Sequence, residues 1–148
     1  MLCVSTAYLS WSLVAKVWLH HNLDQALAKQ EIKHEAILST PAPFNTLLWR
    51  VVILEGDIYR VGHVTLWDDP ATLDFRSYQK GEELLDGIAE QWDVSRLAWF
   101  TKGFYRASEL NDQIVISDLR MGYEESYAFN FAVANKLPSG VLEAIKAV

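Results

Sequence analysis

The sequence predicts an α+β fold: a long N-terminal helix packed on a mainly antiparallel sheet of about five strands, with two short helices inserted between two β units. Three observations predict it. An apolar run at the start turns amphipathic and continues to about Ile37. Two runs of β-forming residues flank Glu55-Gly56-Asp57, and two more flank Asn111-Asp112. Near the end, Tyr127, Phe129, Phe131 and Val133 alternate with Ala128, Asn130 and Ala132, the period of a half-buried strand. With no linker, repeat or low-complexity stretch, residues 1–148 read as a single domain.

The first helix divides in two. Residues 1–19 carry one charge, Lys16, and include Trp11 and Trp18. As a helix, the stretch before Lys16 rises about 22 Å, short of the ~30 Å hydrocarbon core of a bilayer. It lacks the basic start and the small-residue cleavage site of a signal peptide. It therefore reads either as a helix packed in a core or an oligomer, or as the end of a transmembrane helix. From His20 onward, Leu23, Ala26 and Leu27 alternate with Asp24, Gln25 and Lys29, and Pro41 stops the helix.

The remaining elements follow in order. Leu47–Leu54 and Ile58–Trp67 form the first hairpin, ended by Asp68-Asp69-Pro70. Residues 71–81 read as a loop. Glu82–Gln91 reads as a helix, and Val94–Lys102 as a second one with Gly103 just past its end. Phe104–Leu110 and Gln113–Met121 are strands of the second hairpin, Gly122 breaks the run, and Ser126–Ala134 is a further strand. Pro138-Ser139-Gly140 precedes a short C-terminal helix.

Composition excludes several classes. A net charge of -6 with no Lys/Arg run argues against nucleic-acid binding. A lone cysteine, Cys3, excludes a disulfide scaffold. There is no phosphate-cradling glycine loop and no nucleophile elbow. His34-Glu35 opens like a zinc-protease motif, but Leu38 stands where the second histidine is needed. His20 and His21 point about 100° apart on a helix, so no metal site is expected in this chain.

Charges inside strands are more informative. Arg50 lies between Trp49 and Val51, and Arg60 between Tyr59 and Val61. Asp118 and Arg120 are two apart and share a face. A two-residue Asn111-Asp112 turn sets Leu110 against Gln113 and Tyr105 against Asp118. A Tyr105–Asp118–Arg120 cluster is either a structural ion pair or an anion site, since arginine forks bind carboxylates bidentately.

Four stretches, PAPFNTLLWRVV (41–52), FTKGFY (100–105), DLRMG (118–122) and YAFNFAVA (127–134), together resemble the C-terminal region of the bacterial predicted membrane-bound metal-dependent hydrolases. The resemblance runs from the first helix to about residue 135. It rests on Pro41, Pro43, Asn45, Trp49, Arg50, Gly103, Phe104, Tyr105, Asp118, Arg120 and Gly122. In that family several transmembrane helices precede the soluble part and carry the metal-binding residues. The resemblance thus implies that residues 1–19 are the end of the last such helix, and that the protein resides in the inner membrane. It implies a divalent metal in the preceding part of the parent protein and no cofactor in this chain. It leaves this chain as a non-catalytic ligand-binding, interaction or dimerisation module, self-associating through the first helix, or as a contributor to a hydrolase cleft. The candidate polar cluster is Asn45, Trp49, Arg50, Tyr105, Asp118 and Arg120.

Overall fold

The computed structural model describes residues 2–42, 47–124 and 126–145. It is α+β, and the chain forms two compact units, Met1–Tyr78 and Gln79–Val148. The strands make two four-stranded sheets and a two-stranded ribbon, where the sequence suggested one sheet of about five strands. Each hairpin recruits its own flanking strands instead of pairing with the other hairpin.

In the first unit, helix α1 (Leu2–Lys29) buries Ala15, Leu19, Leu23, Ala26 and Leu27. These recur at spacings of three and four residues, so they form one stripe down the helix. The helix ends at Lys29, eight residues before the expected end near Ile37. Glu31 takes a left-handed φ of 53°, the Ile32 amide donates to the Leu27 carbonyl, and the Glu31 amide donates to that of Ala28. This is a Schellman ending without its usual glycine, which is why the sequence concealed it. Ile32 then tucks into the same apolar cluster as Leu27.

The chain beyond it, expected to stay helical to about Ile37, leads into an edge strand. Strand β1 (Ala36–Pro41) pairs antiparallel with β2 (Leu48–Glu55), Ala36 opposite Leu54 and Pro41 opposite Trp49. Pro41 is tolerated at the end of an edge. Strand β3 (Ile58–Thr65) returns from the Gly56-Asp57 turn as expected, with Val51 opposite Gly62 and Arg50 opposite His63. Strand β4 (Arg76–Gln79), inside the expected loop, completes the order β1-β2-β3-β4. Trp49, Val51 and Ile53 of β2, with Val64 of β3, meet the stripe of α1. Phe75 joins this cluster by lying over Gly62, where an added Cβ would sit 2.6 Å from its ring.

In the second unit, the expected helix over Glu82–Gln91 shrinks to a 3₁₀ turn at Glu82–Leu85 and a series of turns. Gly87, with a φ of 84°, is the physical reason: the segment abandons helical geometry there. Leu85 and Ile88 still reach the core. Helix α2 (Trp92–Thr101) ends at Lys102 and Gly103, both left-handed, and the Gly103 amide donates to the Ala98 carbonyl. Strands β5 (Tyr105–Leu110) and β6 (Gln113–Asp118) have the expected register, Leu110 opposite Gln113 and Tyr105 opposite Asp118. Positive φ at both Asn111 and Asp112 makes the turn type I′.

The later strands differ. A ribbon of β7 (Gly122–Tyr123) and β8 (Ser126–Tyr127) precedes β9 (Asn130–Lys136), so the single expected strand is broken in two. The expected C-terminal helix is β10 (Leu142–Ala144), turned back onto β9 through Leu137–Val141. The sheet order is β10-β9-β6-β5. Ala134 faces Ile114 and Ala132 faces Val115, leaving Val133 as an extra residue. This bulge ends the simple alternation: Val133 and Ala134 are both buried, while Phe129 and Phe131 are left in the open.

Replacing Gly62 by Ala should lower stability by about 1–3 kcal/mol, because Phe75 must leave its seat on β3. Chemical denaturation of the two chains checks it; an unchanged midpoint would refute the packing argument.

Candidate functional site

The candidate residues fall in three places. Asn45, like Pro43, lies outside the described residues. Trp49 and Arg50 belong to the first unit, and Tyr105, Asp118 and Arg120 to the second. Trp49 is a core residue on the α1 side of β2. Arg50 points to the opposite face by strand alternation, is buried, and has an interaction partner.

Asp118 and Arg120 form a closed pair at the end of β6. Asp118 is 2% exposed. Its Oδ1 accepts from the Arg120 backbone N–H and from Nε, both at 2.9 Å. Its Oδ2 accepts from Nη2 at 2.6 Å and Nε at 3.1 Å. The guanidinium also lies over the Phe100 ring, 4.7 Å from its centre. The carboxylate ends the strand by binding the backbone two residues on, an Asx-type turn. These hydrogen bonds, more than the opposing desolvation, raise the Arg120 pKa above its ordinary value. Both members of the pair are satisfied by each other and by the turn.

Tyr105 sits opposite Asp118 in register, but its hydroxyl is engaged elsewhere. It donates to Glu82 Oε1 at 3.2 Å. The same oxygen accepts from Lys80 Nζ at 2.6 Å, and that ammonium lies 4.6 Å from the centre of the Tyr105 ring. Gly81, with a φ of 74°, lets the chain pass between Lys80 and Glu82 close to the Ala107 carbonyl. The Ala107 amide in turn donates to the Lys80 carbonyl at 2.8 Å. The hydrogen bond from Lys80 is the main cause that lowers the Glu82 pKa. Burial, reinforced by the Glu82 charge, pushes the Tyr105 phenol up to about 12. Sequence reasoning missed Lys80 and Glu82, because a charged pair next to a glycine looks like an ordinary solvated loop. Among the described residues, no three His, Cys, Asp or Glu side chains gather as a metal site.

Two open apolar surfaces are the other candidates. On the first unit, Trp11, Val14, Ala15 and Trp18 of α1 meet Leu66 and Trp67 around a hollow of about 240 Å³. Trp67 is 75% exposed, and Trp18 Nε1 donates to the Leu66 carbonyl at 3.2 Å. Ahead of this collar, α1 is exposed on every side. On the second unit, Trp92, Trp99 and Phe100 of α2 and Phe131 of β9 border a groove of about 310 Å³. The seven-residue spacing of Trp92 and Trp99 is a sequence signal for this face that the strand-centred reading passed over.

Asp118→Asn should cost about 2–4 kcal/mol, since it leaves a guanidinium without its bidentate partner. Denaturation measures it; a stable variant that loses a binding activity would instead place Asp118 in a ligand site. For Tyr105, the folded phenol holds its proton to about 12 against an ordinary 10.0. Its contribution is therefore complete below pH 10.0 and fades as the pH rises towards about 12. The stability difference between wild type and Tyr105→Phe should shrink across that window, and a constant difference would contradict the assignment. Comparison with family models, with curated proteins and with solved structures finds no match.

Proposed function

We propose that this chain is a non-catalytic interaction module that meets a lipid bilayer through the first half of α1, as the water-facing part of an inner-membrane protein. The observation that carries this reading is the bare segment Val4–Val14 and the tryptophan collar at its end. Val4, Tyr8, Leu9, Leu13 and Val14 are all exposed, and together they surround the helix instead of lining one side of it. A solvated helix shows one apolar stripe; a helix apolar all round belongs in a nonpolar medium. Burying these five side chains is worth on the order of 10 kcal/mol.

The polar atoms of the segment fit the same medium. Ser10 Oγ donates to the Thr6 carbonyl and Ser12 Oγ to that of Tyr8, both at 2.9 Å. Hydroxyls returned to their own helix need no water. Trp11, Trp18 and Trp67 cluster where the bare helix meets the folded unit, the level at which indoles sit in a bilayer. Lys16 lies at that level and can extend its ammonium to the headgroups. Among the described residues, no helix is long and apolar enough to cross a membrane. Contact by an embedded helix end matches that length. The resemblance to the predicted membrane-bound metal-dependent hydrolases supports this reading, and the parent's chemistry is then assigned to the part that precedes this chain. Asp118 and Arg120 support a structural role, because each already occupies the other.

Flotation with phospholipid vesicles tests the reading. The wild-type chain should float, and Leu13→Asp, at an exposed position, should reduce partitioning by roughly tenfold to a hundredfold with the fold unchanged. A chain that stays with the aqueous phase as a dimer held together by α1 would replace the bilayer by a second copy. Metal-dependent hydrolysis by this chain, abolished in Asp118→Asn, would overturn the non-catalytic assignment.

A further inference from the structure

Charge of both signs stands beside the tryptophan collar of the first unit. Trp18 Nε1 donates to the Leu66 carbonyl, which ties the turn after β3 to α1. That turn continues as Trp67-Asp68-Asp69-Pro70. Asp68 Oδ2 accepts from the Thr65 amide at 2.6 Å, and Asp69 Oδ1 accepts from the Ala71 amide at 2.9 Å. The Thr72 amide and hydroxyl both donate to the Asp69 carbonyl. The two carboxylates are therefore held in place, one and two residues past Trp67. Consecutive Cα atoms are about 3.8 Å apart, so both lie within roughly 8 Å of Trp67 along the chain, inside the ~10 Å over which a charge is felt at 0.1 M salt. On α1, Lys16 stands two residues before Trp18.

These three charges differ from the others described above. Arg60, Lys80, Arg120 and Lys136 are each closed on a carboxylate. Lys16, Asp68 and Asp69 take part in no ion pair among the described residues. Lys16 and Asp69 are exposed, and Asp68 is half-buried. The next cation of α1, Lys29, is about 20 Å further along the axis, too far to act at the collar in salt. Asp24, which comes before it, adds another anion. The level of the collar therefore carries one cation outnumbered by carboxylates, on a chain whose net charge is -6.

We propose that the collar selects a surface of zwitterionic phospholipid and discriminates against anionic lipid. The inference rests on the bilayer reading of α1 and adds the headgroup chemistry to it. A zwitterionic headgroup has a phosphate for Lys16, an ammonium group for Asp68 and Asp69, and no net charge. Phosphatidylglycerol offers the phosphate without the ammonium. Segments that hold to anionic lipid do so through clusters of Lys and Arg, each worth about fivefold in partitioning. Here the balance is reversed, so an anionic surface repels the collar. The apolar side chains of α1 and the indoles supply the attraction to either surface, and the charges decide between them.

Flotation of the 148-residue chain with two kinds of vesicle tests it, one of phosphatidylcholine and one of phosphatidylcholine and phosphatidylglycerol in equal parts. The comparison is made in low salt at pH 8, above the range in which imidazoles ordinarily gain charge. Partitioning into phosphatidylcholine should be stronger by about fivefold to twentyfold. Salt at about 0.5 M should close most of that gap. Asp68→Asn and Asp69→Asn together should close it in low salt as well. An amide oxygen still accepts from the Thr65 and Ala71 amides, so the turn and the unfolding midpoint should be kept, which separates loss of charge from loss of fold. Lys16→Gln should widen the gap. Equal or stronger partitioning into the mixed vesicles overturns the proposal and leaves bilayer contact standing. Discrimination that survives unchanged in the double variant also overturns it, because the collar carboxylates would then not be its source. A chain that floats with neither vesicle overturns the bilayer reading itself, and the headgroup preference with it.

Discussion

Everything in the first unit depends on one stripe: Ala15, Leu19, Leu23, Ala26 and Leu27 of α1 laid on Trp49, Val51 and Ile53 of β2. The stripe holds the helix on the sheet, and the sheet has no other described helix on that cluster. It also explains why α1 stops where it does. Once Leu27 is seated, Ile32 can join the same cluster only if the chain reverses, and the left-handed Glu31 makes that reversal. The freed chain becomes β1 and guards the edge of β2. The stripe begins at Ala15, however, so it gives the preceding half of the helix no support. That half is left exposed, and the collar of Trp11, Trp18 and Trp67 marks the boundary.

The charged residues tell a complementary story. Asp118–Arg120 and Lys80–Glu82 each pair a buried group with a more exposed one. In both cases the pair also organises backbone: the first turns the chain after β6, and the second pins the 3₁₀ segment to β5. Such pairs contribute little to net stability by Coulomb attraction alone, but removing one partner is costly because the other is left desolvated. Their geometry is complete without a ligand. On α2, by contrast, the Arg96 guanidinium rests on the exposed Trp92 ring and not on a carboxylate.

Local chemistry decided what was legible in the sequence. The register of β5 and β6 was readable to the residue because Asn111-Asp112 tolerates two left-handed conformations in succession, but β6 stops at Asp118, not Met121, which puts Arg120 in the turn. The end of α2 was readable from Gly103. The same reasoning failed at Glu31, where a non-glycine adopts the left-handed cap, and at Val133, where a bulge shifts the alternation. It failed at Gly87, whose break was outweighed by the helical spacing of Leu84, Leu85 and Ile88. The pairing of Tyr105 with Asp118 was legible as register but not as chemistry. A hydroxyl goes to the nearest strong acceptor, and Glu82 arrives from a turn that no strand pattern predicts. Arg50 and Arg120 looked like members of one set because both interrupt strands, yet strand position says nothing about which sheet a strand joins.

The distribution of tryptophan carries the argument one step further. Of six, only Trp49 is buried; Trp11, Trp18, Trp67, Trp92 and Trp99 are all at least half exposed. Indoles have the largest apolar surface of any side chain, and a monomer in water normally hides most of it. Scattered single exposures would need no explanation, but these five fall into two groups with different surroundings. The α1 collar sits among Val14, Ala15 and Leu66, an apolar setting in which the Trp18 indole donates to the Leu66 carbonyl. The α2 pair sits beside Ser95 and Arg96, with the Arg96 guanidinium over the Trp92 ring. On the proposed reading the first group sits at the level of a bilayer where indoles are at home, while the second borders a face of α2 that carries charge as well as rings.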